Sequence, residues 1–417
     1  MGSVVSGIGW ARVSFALVLA GGFLLGFPGV SSAAPGADVD ALVIPGVTYN
    51  SDDGVGGGLI ASFRRPTAGE NDARPYVFDV TGVVLGYFNP QPNAWGVNWR
   101  ASWYPWASAE TEVEFLIHSI GWRNAWFGGL GNGAVTQVWR RGDEDSTIDP
   151  WHRYGLFDLT LGARVEHPMP TKLVAHGGLR LDFDHLVVRP DTFLAASRAS
   201  GEILAPDDAV SVTGELGLSF DTAEPRYDPT QGGTVRGALY LSGGTAGIHG
   251  KALLDLRGYL QLGPDAPVVL AGTLLGQMQW GDTPFYELSV LGDPAAKPRL
   301  VTGGRGLRGL RRGALRGPLS LLMMSELRFR LPTFSIKKLR VRTELVVSAD
   351  AALVATYDTP PSPPAPHPGV GGGIRVILNE QLVVHVDIAT APNEHSLSNG
   401  TTTQWGVRGY ASVGHIF

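Results

Sequence analysis

Few residues of this chain are placed to do acid–base chemistry. Asp182, Asp184 and His185 lie within four positions of one another, and carboxylates beside an imidazole can move a proton, as in barrel-borne hydrolases. The alternative is that they are ordinary polar residues of a wet interior wall. No nucleophile elbow, zinc-protease, phosphate-loop or calcium-loop motif occurs, and the 10 His lack ligand spacing. We therefore expect no catalytic residues, no metal site, no cofactor and no enzyme activity.

The composition excludes several other classes. The chain has 417 residues, of which 57 are Gly, and its mean hydropathy of +0.05 is too low for a bundle of membrane-spanning helices. The 33 basic and 38 acidic residues are mixed along the sequence, so we expect no nucleic acid as a partner. The absence of Cys excludes disulfide scaffolds and thiolate chemistry and suits export through an oxidising compartment.

Residues 1–33 are predicted to be a cleaved secretory signal peptide. Arg12 precedes an apolar stretch from Val13 to Val30, and the small residues Ser31–Ala34 follow it. This order is typical of a signal peptidase site, and we expect cleavage after Ala33. The alternative is an uncleaved N-terminal anchor helix. No later run of about 18 apolar residues occurs, so any membrane spanning in the mature chain must be done by strands.

Several long segments alternate between apolar and charged residues with the period of two that is typical of a β-strand. Between Leu339 and Leu353 the odd positions are mostly apolar, while the even positions include Arg340 and Glu344. The same alternation runs from Lys251 to Leu262 and from Leu319 to Leu331. Each of these segments therefore has one apolar face and one charged face.

The length of these segments decides between two all-β architectures. They run for about a dozen residues, longer than the mode of ~5–6 for globular strands and close to what a tilted strand needs to cross a bilayer. In a secreted sandwich or propeller the apolar face would be the core, whereas in an outer-membrane barrel it faces lipid and the charged face lines a wet lumen. We predict an all-β fold, a transmembrane antiparallel β-barrel.

Turn signals divide residues 34–417, the predicted barrel domain, into about sixteen strands. With both termini in the periplasm, the long connections fall together on the outer face of the membrane. These connections are Ala125–Pro150, Arg189–Asp208, Asp282–Pro318 and Tyr357–Pro368. The proline-rich stretch Pro360–Pro366 is then an exposed loop rather than a linker between two domains, because alternation resumes after Gly369.

The segment from Leu291 to Glu326 carries a more specific signal. It contains Gly303-Gly304 and then Leu307-Arg308-Gly309-Leu310. This pattern resembles the BamA/TamA superfamily of outer-membrane assembly proteins, the bacterial surface antigen family. In that family a long outer loop folds back into the barrel, and its tip carries a Gly-Gly and then an Arg-Gly followed by an aromatic residue, where this chain has Leu310.

The resemblance implies partners for Arg308. The family's tip arginine meets acidic groups on the lumen wall, and Glu326 and Asp350 occupy the matching segments here. Both acids lie at even, lumen-facing positions of their predicted strands, and the guanidinium fork of an arginine can bind carboxylates bidentately. We therefore expect Glu326 and Asp350 to anchor a lumen loop motif that consists of Gly303, Gly304, Arg308 and Gly309.

The alternative is a basic, solvated loop that contacts lipopolysaccharide. The loop also contains Arg305, Arg311, Arg312 and Arg316, so the choice of Arg308 depends on the family motif.

Three further segments resemble the same family. Phe220–Thr222 with Tyr227–Gly232 is similar to its periplasmic turn, and Trp126–Asn132 is similar to its glycine-rich early segment. The last strand contains Tyr410 and ends with Phe417, like the C-terminal signal that assembly machinery reads.

The resemblance implies a function, although this chain departs from the family's pattern in one respect. It predicts a barrel in the outer membrane of a Gram-negative bacterium, in contact with lipid and lipopolysaccharide, which assists protein insertion or translocation. Family members that assemble proteins carry periplasmic POTRA domains, but the first predicted strand begins near Ala41, so a separate POTRA-bearing or chaperone partner is expected. The alternative is a channel or structural barrel without assembly activity.

Overall fold

The computed structural model describes residues 40–50, 54–66, 76–89, 91–103, 111–127, 129–130, 152–225, 228–263, 267–290, 307–310, 315–336, 339–357, 366–378, 382–397 and 400–413. The predicted signal peptide, Gly303, Gly304 and Phe417 lie outside these residues. No helix in the described part of the chain is long and apolar enough to span a membrane.

The described chain is built mainly from long strands. In chain order the strands are β1 (Asp40–Asn50), β2 (Gly54–Pro66), β3 (Tyr76–Asn89), β4 (Gln91–Trp103), β5 (Glu112–Trp126), β6 (Arg153–Pro168), β7 (Leu173–Val187), β8 (Asp208–Asp221), β9 (Gly232–Gly244), β10 (Gly247–Gln261), β11 (Val268–Gly281), β12 (Ser289–Val290), β13 (Arg316–Gly317), β14 (Leu319–Arg330), β15 (Phe334–Ile336), β16 (Leu339–Ala355), β17 (His367–Leu378), β18 (Leu382–Leu397) and β19 (Gly400–Val413). A short helix, Phe193–Ala199, lies between β7 and β8, and a 3-10 turn, Pro170–Lys172, precedes β7.

All long strands belong to one antiparallel sheet. Each pairs with the next long strand along the chain, β11 pairs with β14, and β14 pairs with β16. The last strand pairs with β18 and also with β1, through Tyr49 opposite Ala411 and Asn50 opposite Tyr410. The predicted all-β fold with one large antiparallel sheet is confirmed. Over the described residues the large sheet has 17 strands, the three-residue β15 included, where the sequence predicted about sixteen.

The two faces of the sheet have inverted polarity compared with a water-soluble protein. Glu326, Arg328 and Glu344 each lie on the buried face and are 1% exposed. On the opposite face of the same strands, Leu321 and Val347 are 45% and 58% exposed. A soluble sheet would bury the apolar face, so this arrangement suits a sheet with lipid outside and water or polar loops inside. We call the buried face the inner face.

The connections distinguish the two ends of the barrel. The long connections between β5 and β6, β7 and β8, and β11 and β14 lie at one end, which we call the loop end. The shorter connections between β6 and β7, β8 and β9, and β14 and β16 lie at the other, the turn end.

Two connections differ from the sequence prediction. A break was expected at Pro229–Gly233, but β8 already ends at Asp221, and Glu224 and Gln231 form an isolated bridge beyond it. Pro225 and Pro229 each lack a backbone N–H, so the ladder cannot continue through them.

At the other site, a loop was expected from Pro392 to Thr402, yet β18 continues to Leu397, which pairs with Gly400. One proline removes a single ladder donor, and this long hairpin tolerates the loss.

Candidate functional site

The tip of the long β11–β14 connection lies against the inner face of the barrel. Arg308 donates from Nε to Asp350 Oδ2 and from Nη2 to Asp350 Oδ1, both at 2.6 Å, and from Nη1 to Glu326 Oε1 at 2.8 Å. Its backbone N–H also points to Asp350 Oδ2 at 3.4 Å. The three side chains are between 1% and 5% exposed. The structure thus brings together the arginine and both acids that the sequence singled out.

Glycine next to Arg308 allows this close approach. Gly309 has a φ of 89°, which side chains rarely adopt, and a Cβ there would lie 2.3 Å from the backbone carbon of Thr390 on β18. On β17, a Cβ at Gly369 would lie 2.5 Å from the carbonyl oxygen of Arg308. The arginine at position 308 is thus required for its charge, and the glycine at position 309 is required because a larger residue would clash with β18.

Apolar packing holds the rest of the tip. Leu307, Leu310 and Leu315 are 4%, 6% and 2% exposed. They belong to one cluster with residues of six strands, namely Ala238, Tyr240, Leu253, Leu275, Leu322, Met324, Ala352, Val354 and Ala391. Leu310, which stands where the family has an aromatic residue, is thus a packing residue here. The solvated-loop alternative does not describe this tip.

Glu326 is shared by more cations than the sequence predicted. Its Oε2 accepts from Arg328 Nε at 3.0 Å, and its Oε1 accepts from Arg375 Nη2 as well as from Arg308. Arg328 and Arg375 are 1% and 0% exposed. Sequence reasoning missed both as site residues, although the inward parity of Arg375 after Gly371–Gly373 was a usable signal.

A second set of ion pairs joins this network at the turn end. Asp228, from the connection between β8 and β9, lies 3.8 Å from Arg328, 3.6 Å from Arg330 and in contact with Arg342. Glu344 lies 3.5 Å from Arg330 and 3.7 Å from Arg342. No local pattern indicates these contacts, because Asp228 is about a hundred residues away from its partners along the chain.

The loops of the loop end pack on one another. The short helix places Leu194, 1% exposed, in an apolar cluster that we call the loop-end cluster. Its members are Phe127, Tyr154, Leu156, Leu186, Leu194, Ile203, Ala205, Phe285 and Leu288. Arg316 closes it, since Nη1 donates to the carbonyl of Phe285 at 2.6 Å and the guanidinium lies 5.3 Å from the centre of that ring. The returning arm of the long loop is therefore held at this end too.

The three residues considered as a possible acid–base site, Asp182, Asp184 and His185, do not lie on one face of the sheet. Asp182 and Asp184 are buried on the inner face, where Asp182 accepts hydrogen bonds from Thr160 at 2.7 Å and Thr213 at 3.2 Å. His185 lies on the opposite face and pairs with Asp208 at 2.7 Å. Because successive strand residues face opposite sides, these three side chains do not form one site.

The inner face carries other polar groups. Asp158, Asp184 and Glu287 hold carboxylate oxygens within 4.8 Å of one another. Exposed or lumen-lining acids often gather without an ion, so we assign no metal to them. On the wall from β6 to β9, Glu215 lies 2.9 Å from Arg236, 3.3 Å from His176 and 3.9 Å from Arg164.

The remaining predicted site residues are only partly described. Tyr410 lies in β19, where it pairs with Asp387. Its proposed part in a C-terminal assembly signal, like that of Phe417, stays a prediction. The same is true of the motif role of Gly303 and Gly304.

Comparison with known proteins gives a match in fold. No protein-family model matches the sequence, and no similar curated protein was found. Among solved structures, the chain is similar to BamA from Haemophilus ducreyi lacking POTRA domains 1–3, with a TM-score of 0.53 and 13% identity over 90% of this chain and 70% of that one. It is also similar to CdiB from Escherichia coli, with a TM-score of 0.55 and 12% identity over 91% of this chain and 63% of that one.

CdiB from Acinetobacter baumannii matches likewise, with a TM-score of 0.52 and 11% identity over 91% of this chain and 65% of that one. The chain spans less than two thirds of the length of either CdiB structure. The barrel therefore has a BamA-like fold.

Proposed function

We propose that this chain is an outer-membrane barrel of a Gram-negative bacterium that assists the insertion of proteins into that membrane or their translocation across it. The observation that carries the proposal is that Arg308 forms buried ion pairs with Glu326 and Asp350. These pairs lie inside a barrel whose fold is similar to those of BamA and CdiB. A loop held inside the barrel by ion pairs and apolar contacts is a plug that can be displaced, which suits passage of a large substrate better than steady diffusion.

The proposed partners follow from the proposed place of the barrel in the outer membrane. The apolar outer face contacts membrane lipid, and lipopolysaccharide surrounds it on the outer side of the membrane. A periplasmic partner, either a protein with POTRA domains or a chaperone, delivers unfolded substrate to the turn end. The loop motif of Gly303, Gly304, Arg308 and Gly309 is proposed to set the plugged state, and Tyr410 and Phe417 to guide the barrel's own assembly.

A second function, a channel or structural barrel without assembly activity, is favoured by one observation. The wall from β6 to β9 carries buried charges of both signs around Glu215, which would suit a polar solute path. The proposal includes no enzyme activity, since Asp182 and His185 face opposite sides of the sheet.

Depletion separates these two functions. The protein would be depleted from its host and the outer-membrane proteins quantified by mass spectrometry, with total lipid as the control. Assembly predicts that other barrels or exported proteins decline before growth stops. Loss of solute uptake with an unchanged set of outer-membrane proteins would instead support the channel and contradict the first proposal.

A further inference from the structure

We propose that one ion network joins the tip of the long loop to the connection between β8 and β9, so that releasing the tip also loosens that connection. We call that connection, Thr222–Gln231, the inner turn. This inference needs only the barrel itself and holds for an assembly protein and a channel alike.

The inner turn reaches across the turn end to a distant wall. It leaves β8 and enters β9, yet Asp228 contacts arginines of β14 and β16. Along the sheet, β14 is three strand spacings beyond β9, which is about 14 Å at the usual ~4.8 Å per spacing. Asp228 is 3% exposed and its partner Arg328 lies on the inner face. Asp228 therefore lies against the wall formed by β14 and β16, away from the two strands that its own turn connects.

Asp228 is needed to balance charge there. Arg328, Arg330 and Arg342 all face it, and Glu344 is the other acid that pairs with Arg330 and Arg342. Leaving buried arginines without a carboxylate partner strongly destabilises a folded protein. The arginines of this wall therefore attract Asp228 of the inner turn. We call the contact of Asp228 with Arg328, Arg330 and Arg342 the latch.

The latch and the loop tip share one ion pair. Glu326 accepts from Arg308 of the loop through Oε1 and from Arg328 through Oε2. Arg328 in turn lies 3.8 Å from Asp228 and 5.7 Å from the ring centre of Tyr259. Two intermediate residues thus connect the loop tip to the inner turn.

The distances predict the direction of the coupling. If Arg308 leaves, Glu326 loses one of its cations and interacts more strongly with Arg328, because charges interact strongly in a poorly solvated interior. The 3.8 Å contact between Arg328 and Asp228 is the longest step of the chain, so it is the first to weaken. Withdrawal of the loop tip would therefore also loosen the inner turn.

Trypsin cleavage of the inner turn tests this coupling. The turn contains Arg226, which precedes Tyr227 and is a tryptic site. In the folded, full-length barrel, cleavage after Arg226 would be followed by fragment mass for the unaltered chain, Asp228→Asn and Arg308→Met. We expect Asp228→Asn to speed cleavage, and Arg308→Met to speed it by about fivefold or more, the lower range of ordinary coupling between sites.

A matched control is Arg316→Met, which removes a buried arginine of the same loop that contacts Phe285 and Tyr154 instead of the network. Cleavage should stay at the unaltered rate in this variant. Equal rates for Arg308→Met and Arg316→Met would overturn the coupling even if the proposed function is correct. If Arg308→Met does not give a folded barrel, Arg308→Gln removes the same charge but keeps a polar side chain, and an unchanged rate there would equally contradict the proposal.

Discussion

Arginine is suited to the loop tip for reasons of geometry. Its planar fork gives Asp350 two parallel hydrogen bonds of 2.6 Å and still leaves Nη1 for Glu326. A lysine would offer a point charge that cannot match both carboxylates in this way. The site is therefore specific for one residue type.

Loss of this fork should destabilise the barrel. Arg308→Met leaves two buried carboxylates with fewer cations, and breaking a buried ion pair in this way typically costs about 3–5 kcal/mol. Urea unfolding in detergent micelles would measure the change. The control is Arg198→Met, which removes an exposed pair with Asp207 and should cost less than about 1 kcal/mol. Equal losses in the two variants would show that Arg308 does not anchor the loop.

Gly309 should be intolerant of even one added carbon. Gly309→Ala puts a Cβ 2.3 Å from the backbone of Thr390 and also requires a positive φ, so the tip must move away from β18. We expect faster trypsin cleavage within the long loop. Gly237→Ala is the matched control, because a Cβ at Gly237 meets nothing within 4 Å. A tip that is equally protected in both variants would contradict this steric role.

At the scale of elements, the long loop is held at two separate places. Its tip is seated among β14, β16, β17 and β18, while its returning arm is held through Arg316 in the loop-end cluster. The short helix completes that cluster. Thr192 caps it by accepting a hydrogen bond from the Ala195 backbone at 3.3 Å.

Truncation of the helix contact should loosen the loop end without releasing the tip. Leu194→Ala removes a side chain that is 1% exposed, and such truncations typically cost about 2–5 kcal/mol. Hydrogen exchange should rise in the β7–β8 connection and in the arm near Arg316. Leu204→Ala, in the same connection but 40% exposed, should have little effect. A similar exchange pattern in both variants would be evidence against the loop-end cluster.

The same connection gives a prediction about pH. A hydrogen bond from Arg198 lowers the pKa of Asp207 below its usual value. A lowered folded-state pKa means that the contact stabilises the folded state at neutral pH and loses this effect as the pH falls through the folded-state value. In Arg198→Met, NMR titration should find the pKa of Asp207 raised toward that of an ordinary aspartate. An unchanged titration would mean that the pair does not form in solution.

At the scale of the whole molecule, the inverted polarity of the sheet is the dominant fact. Leu216, Leu239 and Val407 are 72%, 61% and 71% exposed, while arginines and glutamates lie inside. Water would strongly disfavour such a surface, and a bilayer would stabilise it. Folding and membrane insertion are thus expected to be one process.

A charge on the outer face tests the membrane placement. Leu216→Arg, near the middle of β8, should cost about 2–4 kcal/mol when the barrel is unfolded from lipid bilayers. Leu216→Ala, which keeps the position apolar, should cost less. A neutral effect of the arginine, or a chain that is soluble without detergent, would contradict the placement.

The sequence by itself determined the class of the fold, because alternation with a period of two is a local property that assigns each side chain to a face. It also supplied Arg308, Glu326 and Asp350 through a motif, and the structure brings these three together. Only the tertiary structure decided that Glu326 is shared with Arg328 and Arg375, and that Asp228 reaches β14 and β16. These contacts join segments far apart in the chain, so they depend on strand order and on how loops and turns fold across the interior, which no local pattern records.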